Sequence, residues 1–208
     1  RDRFEPGENF SGPIVSWARD AARRHELYLL AGSFGELSKE GRKIYNTSLL
    51  IDPKGEIRAV YRKIHLFDAR LDDGESHRES DRVVPGREAV VAPTKLGKMG
   101  LTVCYDLRFP ELYRKLAGRG ARIIFAPSAF TYQTGKAHWE ILIRARAVEN
   151  QVFMVAPGQV GRHSPSRRTY GHSMIVDPWG RILAQIEEGE GIALAPLDFS
   201  EQDRIREK

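Results

Sequence analysis

Cysteine is almost missing from this sequence: its 208 residues include one, Cys104. A single thiol excludes an internal disulfide framework and a thiolate metal cluster, and it fits a reducing compartment. No histidine pair has the spacing of a helix-borne zinc site, so a metal is not expected. Long apolar runs are missing too, and nothing approaches the roughly 20 residues that cross a bilayer. An excess of one charge is also lacking. The net charge is +5, but 33 basic residues are mixed with 28 acidic ones. No basic tract is interleaved with aromatics, so neither nucleic acid nor a membrane is expected as a partner. What is present is 41% hydrophobic content, enough for a sizeable core in one large domain or two small ones.

The chain opens on Arg1 rather than Met, and its first residues already read as mid-domain. An upstream piece is therefore expected. The location expected is cytoplasmic, unless a targeting segment, mitochondrial for example, stood upstream. Asn9-Phe10-Ser11 and Asn46-Thr47-Ser48 match the glycosylation acceptor pattern and are read as chance matches, since nothing else points to secretion.

Ser11 or Gly12 before Pro13 signals a helix start, with Ile14, Trp17, Ala18 and Ala21 as its buried stripe and Arg19, Arg23 and Arg24 facing water. Leu27 to Phe34 reads as a buried strand and Gly35 to Arg42 as a loop. Tyr45 to Ile51 and Glu56 to Arg62 form a hairpin about Asp52-Pro-Lys-Gly55. The phrase returns: Ser48-Leu-Leu-Ile-Asp-Pro-Lys-Gly-Glu-Ile-Arg-Ala59 matches Ser173-Met-Ile-Val-Asp-Pro-Trp-Gly-Arg-Ile-Leu-Ala184 in pattern. Either a tandem duplication or two independent hairpins with ordinary turn chemistry explains the echo.

Phe67 to Pro85 is polar and reads as a long loop of the kind that lines sites. Met99 to Val103 is a short strand, Glu111 to Ala117 a helix, and Ala121 to Ala126 a buried strand. His138 to Asn150 is helical, with Trp139, Leu142, Ala145 and Val148 inward. Val152 to Ala156 is a strand, Gly158 to Gly171 a basic loop, Ser173 to Ile186 the second hairpin, and Ile192 to Asp198 a last strand before a charged tail. Strands alternating with helices over the whole length give an α/β class, and no domain boundary is visible.

Cys104 stands where the strand meets Pro110 and Glu111, residues suited to a helix's first turn. Backbone N–H groups at such a junction favour a thiolate. Two readings stay open from the residues alone, a nucleophile or a buried structural thiol. Any of His25, His65, His77, His138, His163 and His172 offers a base, though none sits in a motif that singles it out. Lys63 follows a strand end; it is either a solvated surface residue or a fixed charge for an oxyanion. Glu79 lies on the long loop and by itself is an exposed carboxylate.

Taken together, Tyr61-Arg-Lys-Ile-His-Leu-Phe-Asp68, Pro85-Gly86, Cys104-Tyr-Asp-Leu-Arg-Phe-Pro-Glu-Leu112, Ala137-His-Trp-Glu140, Arg144-Ala-Arg-Ala-Val-Glu-Asn150 and Gly171-His-Ser-Met174 with Asp177-Pro-Trp-Gly180 resemble the nitrilase superfamily of carbon–nitrogen hydrolases. The order is kept over almost the entire chain. Gly158-Gln-Val-Gly-Arg-His163 and Tyr170-Gly-His-Ser-Met174 are most similar to the Nit branch of that superfamily. The resemblance implies a four-layer α-β-β-α sandwich, a homodimer or higher homo-oligomer, and a Glu–Lys–Cys triad working without a cofactor. It makes Cys104 the nucleophile, Lys63 the catalytic lysine, and Glu79 an additional glutamate supporting the lysine and the substrate. Glu140 is a second acidic candidate for the pocket, with a purely helix-ordering role as the alternative.

The resemblance also implies hydrolysis of an amide through a thioester, with Lys63 and the backbone N–H of Tyr105 holding the oxyanion. The expected substrate is a small, carboxylate-bearing amide such as deaminated glutathione. Arg108, beside the nucleophile, and Arg162, Arg167 and Arg168 in the basic loop suit carboxylates, the alternative being a solvated surface. The superfamily's general-base glutamate has no match here, because Glu5 precedes Pro6 and no strand leads into it. The reading is one carbon–nitrogen hydrolase domain over residues 1–208 without its first strand and its C-terminal Arg-Arg-rich tail. An omega-amidase or N-carbamoyl hydrolase, a non-catalytic interaction protein on the same scaffold, and a Cys–His hydrolase or thiol redox sensor are the other readings.

Overall fold

Pro13 begins helix α1 (Pro13–Arg24) as its sequence requires, and the cap comes from outside the helix. The Glu8 carboxylate accepts the N–H groups of Ile14 (3.2 Å) and Val15 (3.0 Å), placing negative charge at the positive helix end. The buried stripe is not the expected one. Val15, Ala18 and Ala22 face inward against Phe34, Leu49 and Ile51, while Trp17 is 69% exposed. Both stripes satisfy a 3.6-residue period, and the sheet selects the one whose small side chains let the helix lie close.

The computed structural model describes residues 7–38, 41–70, 76–165 and 167–207. It comprises two units that divide between Ala92 and Pro93. In the first, β1 (Leu29–Leu37), β2 (Ile44–Ile51) and β3 (Ile57–Arg62) form an antiparallel sheet in that order, with α1 against it. β1 continues through Gly35 to Leu37, where a loop was expected, because those residues pair with Ile44 to Asn46. The long polar segment after Phe67 is not wholly loop either. β4 (Asp68–Arg70) and β5 (Ser76–Arg78) pair as a small ribbon, followed by a 3₁₀ turn at Glu79–Asp81.

From β6 (Val90–Thr94), which straddles the division, the elements run β7 (Gly97–Leu101), a 3₁₀ turn Cys104–Arg108, α2 (Pro110–Gly118), β8 (Ile123–Phe125), α3 (Tyr132–Asn150), β9 (Phe153–Ala156), β10 (Val160–Arg162), β11 (Arg168–Tyr170), β12 (Met174–Val176), β13 (Ile182–Gln185) and α4 (Phe199–Arg206). The main sheet has the order β13-β12-β9-β8-β7-β6. β7, β8 and β9 are parallel, joined by α2 and α3 as crossovers. Each unit is thus a sheet with helix packed on it, and the α/β class holds.

Four expectations change here. α3 starts at Tyr132, before His138, and it buries Trp139, Ile143, Arg146, Ala147 and Asn150; Ala145 and Val148 face solvent. Apolar periodicity misjudged this face because two of its inward residues are polar and satisfied internally. Within the expected basic loop, β10 and β11 pair as a hairpin. Ile192 to Asp198 joins no ladder among the described residues, and Ile192 and Leu194 are 87% and 83% exposed. The charged tail beyond it is helix α4, capped by Asp198, which accepts from Ser200 and Glu201 N–H.

The repeated phrase is repeated structure. Asp52 Oδ1 accepts from the N–H of Lys54 (2.8 Å) and Glu56 (3.0 Å), and Asp177 Oδ1 from Trp179 (3.0 Å) and Arg181 (2.8 Å). Gly55 and Gly180 take the left-handed conformation at φ +75° and +87° that such turns require. A bulge sits at Leu50/Ile51 in one hairpin and at Ile175/Val176 in the other. A helix arginine also clamps each turn: Arg19 Nε donates to Gly55 O at 2.7 Å, and Arg144 Nε to Gly180 O at 2.8 Å. Turn chemistry alone does not call for that clamp, so the shared clamp favours duplication.

Candidate active site

The first unit holds Lys63 and Glu79. Lys63 is only 3% exposed, and its Nζ lies 2.5 Å from Glu79 Oε2. A lysine buried to this degree requires a partner, since its desolvation is otherwise prohibitive. Glu79 is drawn in by the β4–β5 ribbon, which brings Phe67 alongside it. Phe67 N–H donates to Glu79 Oε2 at 2.6 Å, and Asn46 Nδ2 to Oε1 at 3.1 Å. The glycosylation pattern at Asn46 therefore covers a side chain already engaged inside the fold.

The backbone of Lys63 is fixed as firmly. Its N–H donates to Asn46 O and its carbonyl accepts from Gly86 N–H, both at 2.8 Å. One residue earlier, Arg62 anchors β3 to β1 through Glu36, with Nε to Oε2 at 2.8 Å, and Thr47 Oγ1 donates to the same oxygen at 2.7 Å. The hydrogen bond to Glu36 pushes the Arg62 guanidinium further up from its ordinary value.

The second unit holds Cys104, at the expected strand-to-helix junction. β7 ends at Leu101, and Cys104 opens the 3₁₀ turn with φ +51°, left-handed geometry that is rare for a side chain other than glycine. Such strain of about 1–3 kcal/mol persists only where the surroundings over-determine it. They do here. Cys104 N–H donates to Pro127 O at 2.9 Å, and Val103 N–H to the fully buried Asp106 carboxylate at 2.8 Å. Thr102 Oγ1 donates to Phe125 O at 2.7 Å, leaving the Tyr113 hydroxyl to donate to Thr102 Oγ1 at 2.8 Å. Burial pushes the Tyr113 phenol well up from its usual value. At the far end of the turn, the buried Arg146 donates from Nε to Leu107 O at 3.0 Å. The turn presents a half-buried thiol rather than a sealed core one.

The other candidates divide. Tyr105 follows the cysteine and packs edge-on against Phe109. Arg108 lies on the same 3₁₀ turn, with its guanidinium 5.5 Å from the Phe130 ring centre and 3.3 Å from His138 Nδ1. Glu140 sits on the exposed side of α3 and pairs with Arg144 at 3.0 Å. Arg162, Arg167 and Arg168 are exposed, Arg162 bonded to Pro165 O and Arg168 stacked over Tyr132. His163 is spent on Thr169 and His172 stacks on Tyr170. Among the described residues no group of three or more His, Cys, Asp or Glu is placed to hold a metal.

Sequence reasoning missed Asn46, Asp106 and Arg146. Asp106 had a signal, an acid three residues after Val103 at a helix start, which is capping-box spacing. Asn46 and Arg146 had none beyond their places in longer motifs.

Comparison with known proteins places the chain in a family. The carbon-nitrogen hydrolase family profile matches residues 2–207, across both units. A deaminated glutathione amidase of Yersinia enterocolitica is 48% identical over 185 residues, covering 88% of this chain and 65% of the relative. One from Synechocystis is 44% identical over 210 residues, covering 100% of this chain and 77% of the relative. The crystal structure of the Caenorhabditis elegans NitFhit protein is 42% identical at a TM-score of 0.89, covering 95% of this chain and 48% of that one. The chain therefore spans between about half and three quarters of these relatives' lengths. Motif order, fold and the family match lead to one placement: the chain belongs to the carbon-nitrogen hydrolase family, and its structural relatives are Nit-branch proteins of the nitrilase superfamily.

Proposed function

We propose that this protein is an amidase that hydrolyses a linear amide through a thioester on Cys104, and that residues 1–208 act as one catalytic domain. The observation that carries the reading is the Lys63–Glu79 pair, a nearly inaccessible ammonium locked to a carboxylate. Against its desolvation cost such a pair adds little net stability, so its presence points to a use for the charge. In the mechanism, the Cys104 thiol gives its proton to a carboxylate base, and the thiolate attacks the amide carbonyl. Lys63, with the Tyr105 N–H, stabilises the tetrahedral oxyanion. The proton passes to the leaving nitrogen, ammonia departs, and water then releases the acid from the thioester. Glu79 holds Lys63 in place through their ion pair. The glutamate base expected in the superfamily has no counterpart in this sequence, so that role is assigned to no residue here.

Deaminated glutathione is the substrate that the relatives' names support. Arg108, four residues after the nucleophile on the same turn, suits one of its carboxylates. A second copy of the chain is the proposed partner, docking on the outer face of α3, where Ala137, Ile141, Ala145 and Val148 form an exposed stripe. A cytoplasmic location fits a chain with one cysteine.

The test is intact mass spectrometry of the protein quenched during reaction with deaminated glutathione, beside a panel of omega-amides and N-carbamoyl compounds. An acyl adduct on Cys104, lost in Cys104→Ser together with ammonia release, is the expected result. Ammonia release that survives Cys104→Ser would overturn the mechanism. Turnover of an omega-amide or N-carbamoyl compound in place of deaminated glutathione would overturn the substrate.

A further inference from the structure

Asn46 touches both members of the buried ion pair. Its backbone carbonyl receives the Lys63 N–H at 2.8 Å, and its side-chain Nδ2 donates to Glu79 Oε1 at 3.1 Å. Lys63 Nζ and Phe67 N–H both address the other oxygen, Oε2. The terminal carboxylate torsion of Glu79 is intrinsically broad, and among the described residues Asn46 is the donor on Oε1, so it restrains the carboxylate from the side that Lys63 and Phe67 leave open. Residue type matters as well. Only the amide nitrogen of Asn46 can face a carboxylate, so the chemistry settles which way the amide points. A lysine or arginine there would compete with Lys63 for Glu79, and an aspartate would repel it. A neutral donor is the one choice that orients the carboxylate without disturbing the charge balance of the pair.

We propose that Asn46 is a positioning residue for amide hydrolysis: it sets the plane of the Glu79 carboxylate and thereby the position of the Lys63 ammonium. The proposal rests on the reading of Lys63 as the oxyanion-stabilising residue. Its location supports it: Asn46 lies in β2, one residue before Thr47, which pairs with Arg62 in β3. The strand register that aligns the two backbones also brings the amide to Glu79.

The experiment compares wild type, Asn46→Asp, Asn46→Ala and Lys63→Met in the native enzyme, following ammonia release from deaminated glutathione between pH 5.5 and 8.5. Asn46→Asp keeps shape but sets a second carboxylate against Glu79, a like charge that disfavours ionisation of the new carboxyl. At high pH both are ionised and repel, and kcat is expected to fall about tenfold to a hundredfold with KM little changed, the scale of a misplacement of about 1 Å. As pH falls, the new carboxyl takes a proton, donates to Glu79 as the amide did, and recovers much of the loss relative to wild type. Asn46→Ala is expected to show a similar loss with no recovery in acid. It also decides the matter should Asn46→Asp fail to fold. A kcat within twofold of wild type in Asn46→Ala, or a deficit in Asn46→Asp that does not change with pH, would overturn the positioning role. Lys63→Met separates the two levels. If it retains near-normal kcat, the reading of Lys63 falls, and the proposal falls with it. If it is inactive while the Asn46 variants are normal, only the role of Asn46 falls.

Discussion

Lys63 is held from several directions, and the tightest is at Gly86. A Cβ there would lie 2.0 Å from the Arg62 carbonyl oxygen, while the Gly86 N–H reaches Lys63 O at 2.8 Å. The obstacle is backbone, which cannot rotate aside as a side chain would. Gly86→Ala is therefore expected to lower stability by about 1–3 kcal/mol, as overpacking does, and to lower kcat by moving Lys63. A urea midpoint equal to wild type would show that the Arg62 carbonyl yields at no cost. Asp106 makes the complementary case in the second unit. Fully buried, it accepts the Val103 N–H, so Asp106→Ala leaves that donor unsatisfied at a cost of about 1–3 kcal/mol. It also releases the left-handed turn at Cys104. The loss should appear in kcat more than in KM, because the thiol moves while substrate contacts elsewhere persist.

At the scale of elements, the two Asp-Pro-x-Gly hairpins stand out. Asp52 is held below the usual carboxylate range, first by the Glu56 N–H and also by that of Lys54, against some opposing desolvation. A carboxyl whose folded pKa is depressed contributes stability above its unfolded value, and that stability is lost as pH falls through the folded value. Asp52→Asn keeps an acceptor but no charge. It should be less stable than wild type at pH 7, and the gap should close as pH drops below about 4. Urea melts at both pH values measure this, and a gap that persists in acid would assign the loss to packing.

The hairpins are also where the sequence was most legible. Asp, Pro and Gly each force local geometry, so turn position and register followed from a few residues. Helix faces were harder. Trp17 and Val148 fit an inward stripe by period, yet a sheet that needs small residues and a helix that buries Arg146 turned other faces in. The candidate site divided in the same way. Cys104, Lys63 and Glu79 were visible through motif order. Asn46 and Arg146 were not, because their roles depend on partners 33 and 39 residues away in sequence.

For the whole molecule, the outer face of α3 sets the expected assembly. Ala137, Ile141, Ala145 and Val148 recur at spacings of four, four and three, and Ile141 and Val148 are 67% and 50% exposed. A stripe of this period on a helix matches a second helix of the same kind. In a two-fold dimer every contact counts twice, so burying one isoleucine from each copy contributes about 3–6 kcal/mol in total. Ile141→Asp should therefore convert a dimer into monomers in sedimentation velocity. Because Ile141 is solvent-facing in the isolated fold, the substitution should leave the monomer's own packing intact. The inner face of the same helix carries Arg146, whose bond to Leu107 O braces the Cys104 turn. Loss of the partner should thus loosen that brace and lower kcat, with no change in the residues that react. A monomeric wild type would overturn the assembly, and an Ile141→Asp variant that still sediments as a dimer would place the contact elsewhere.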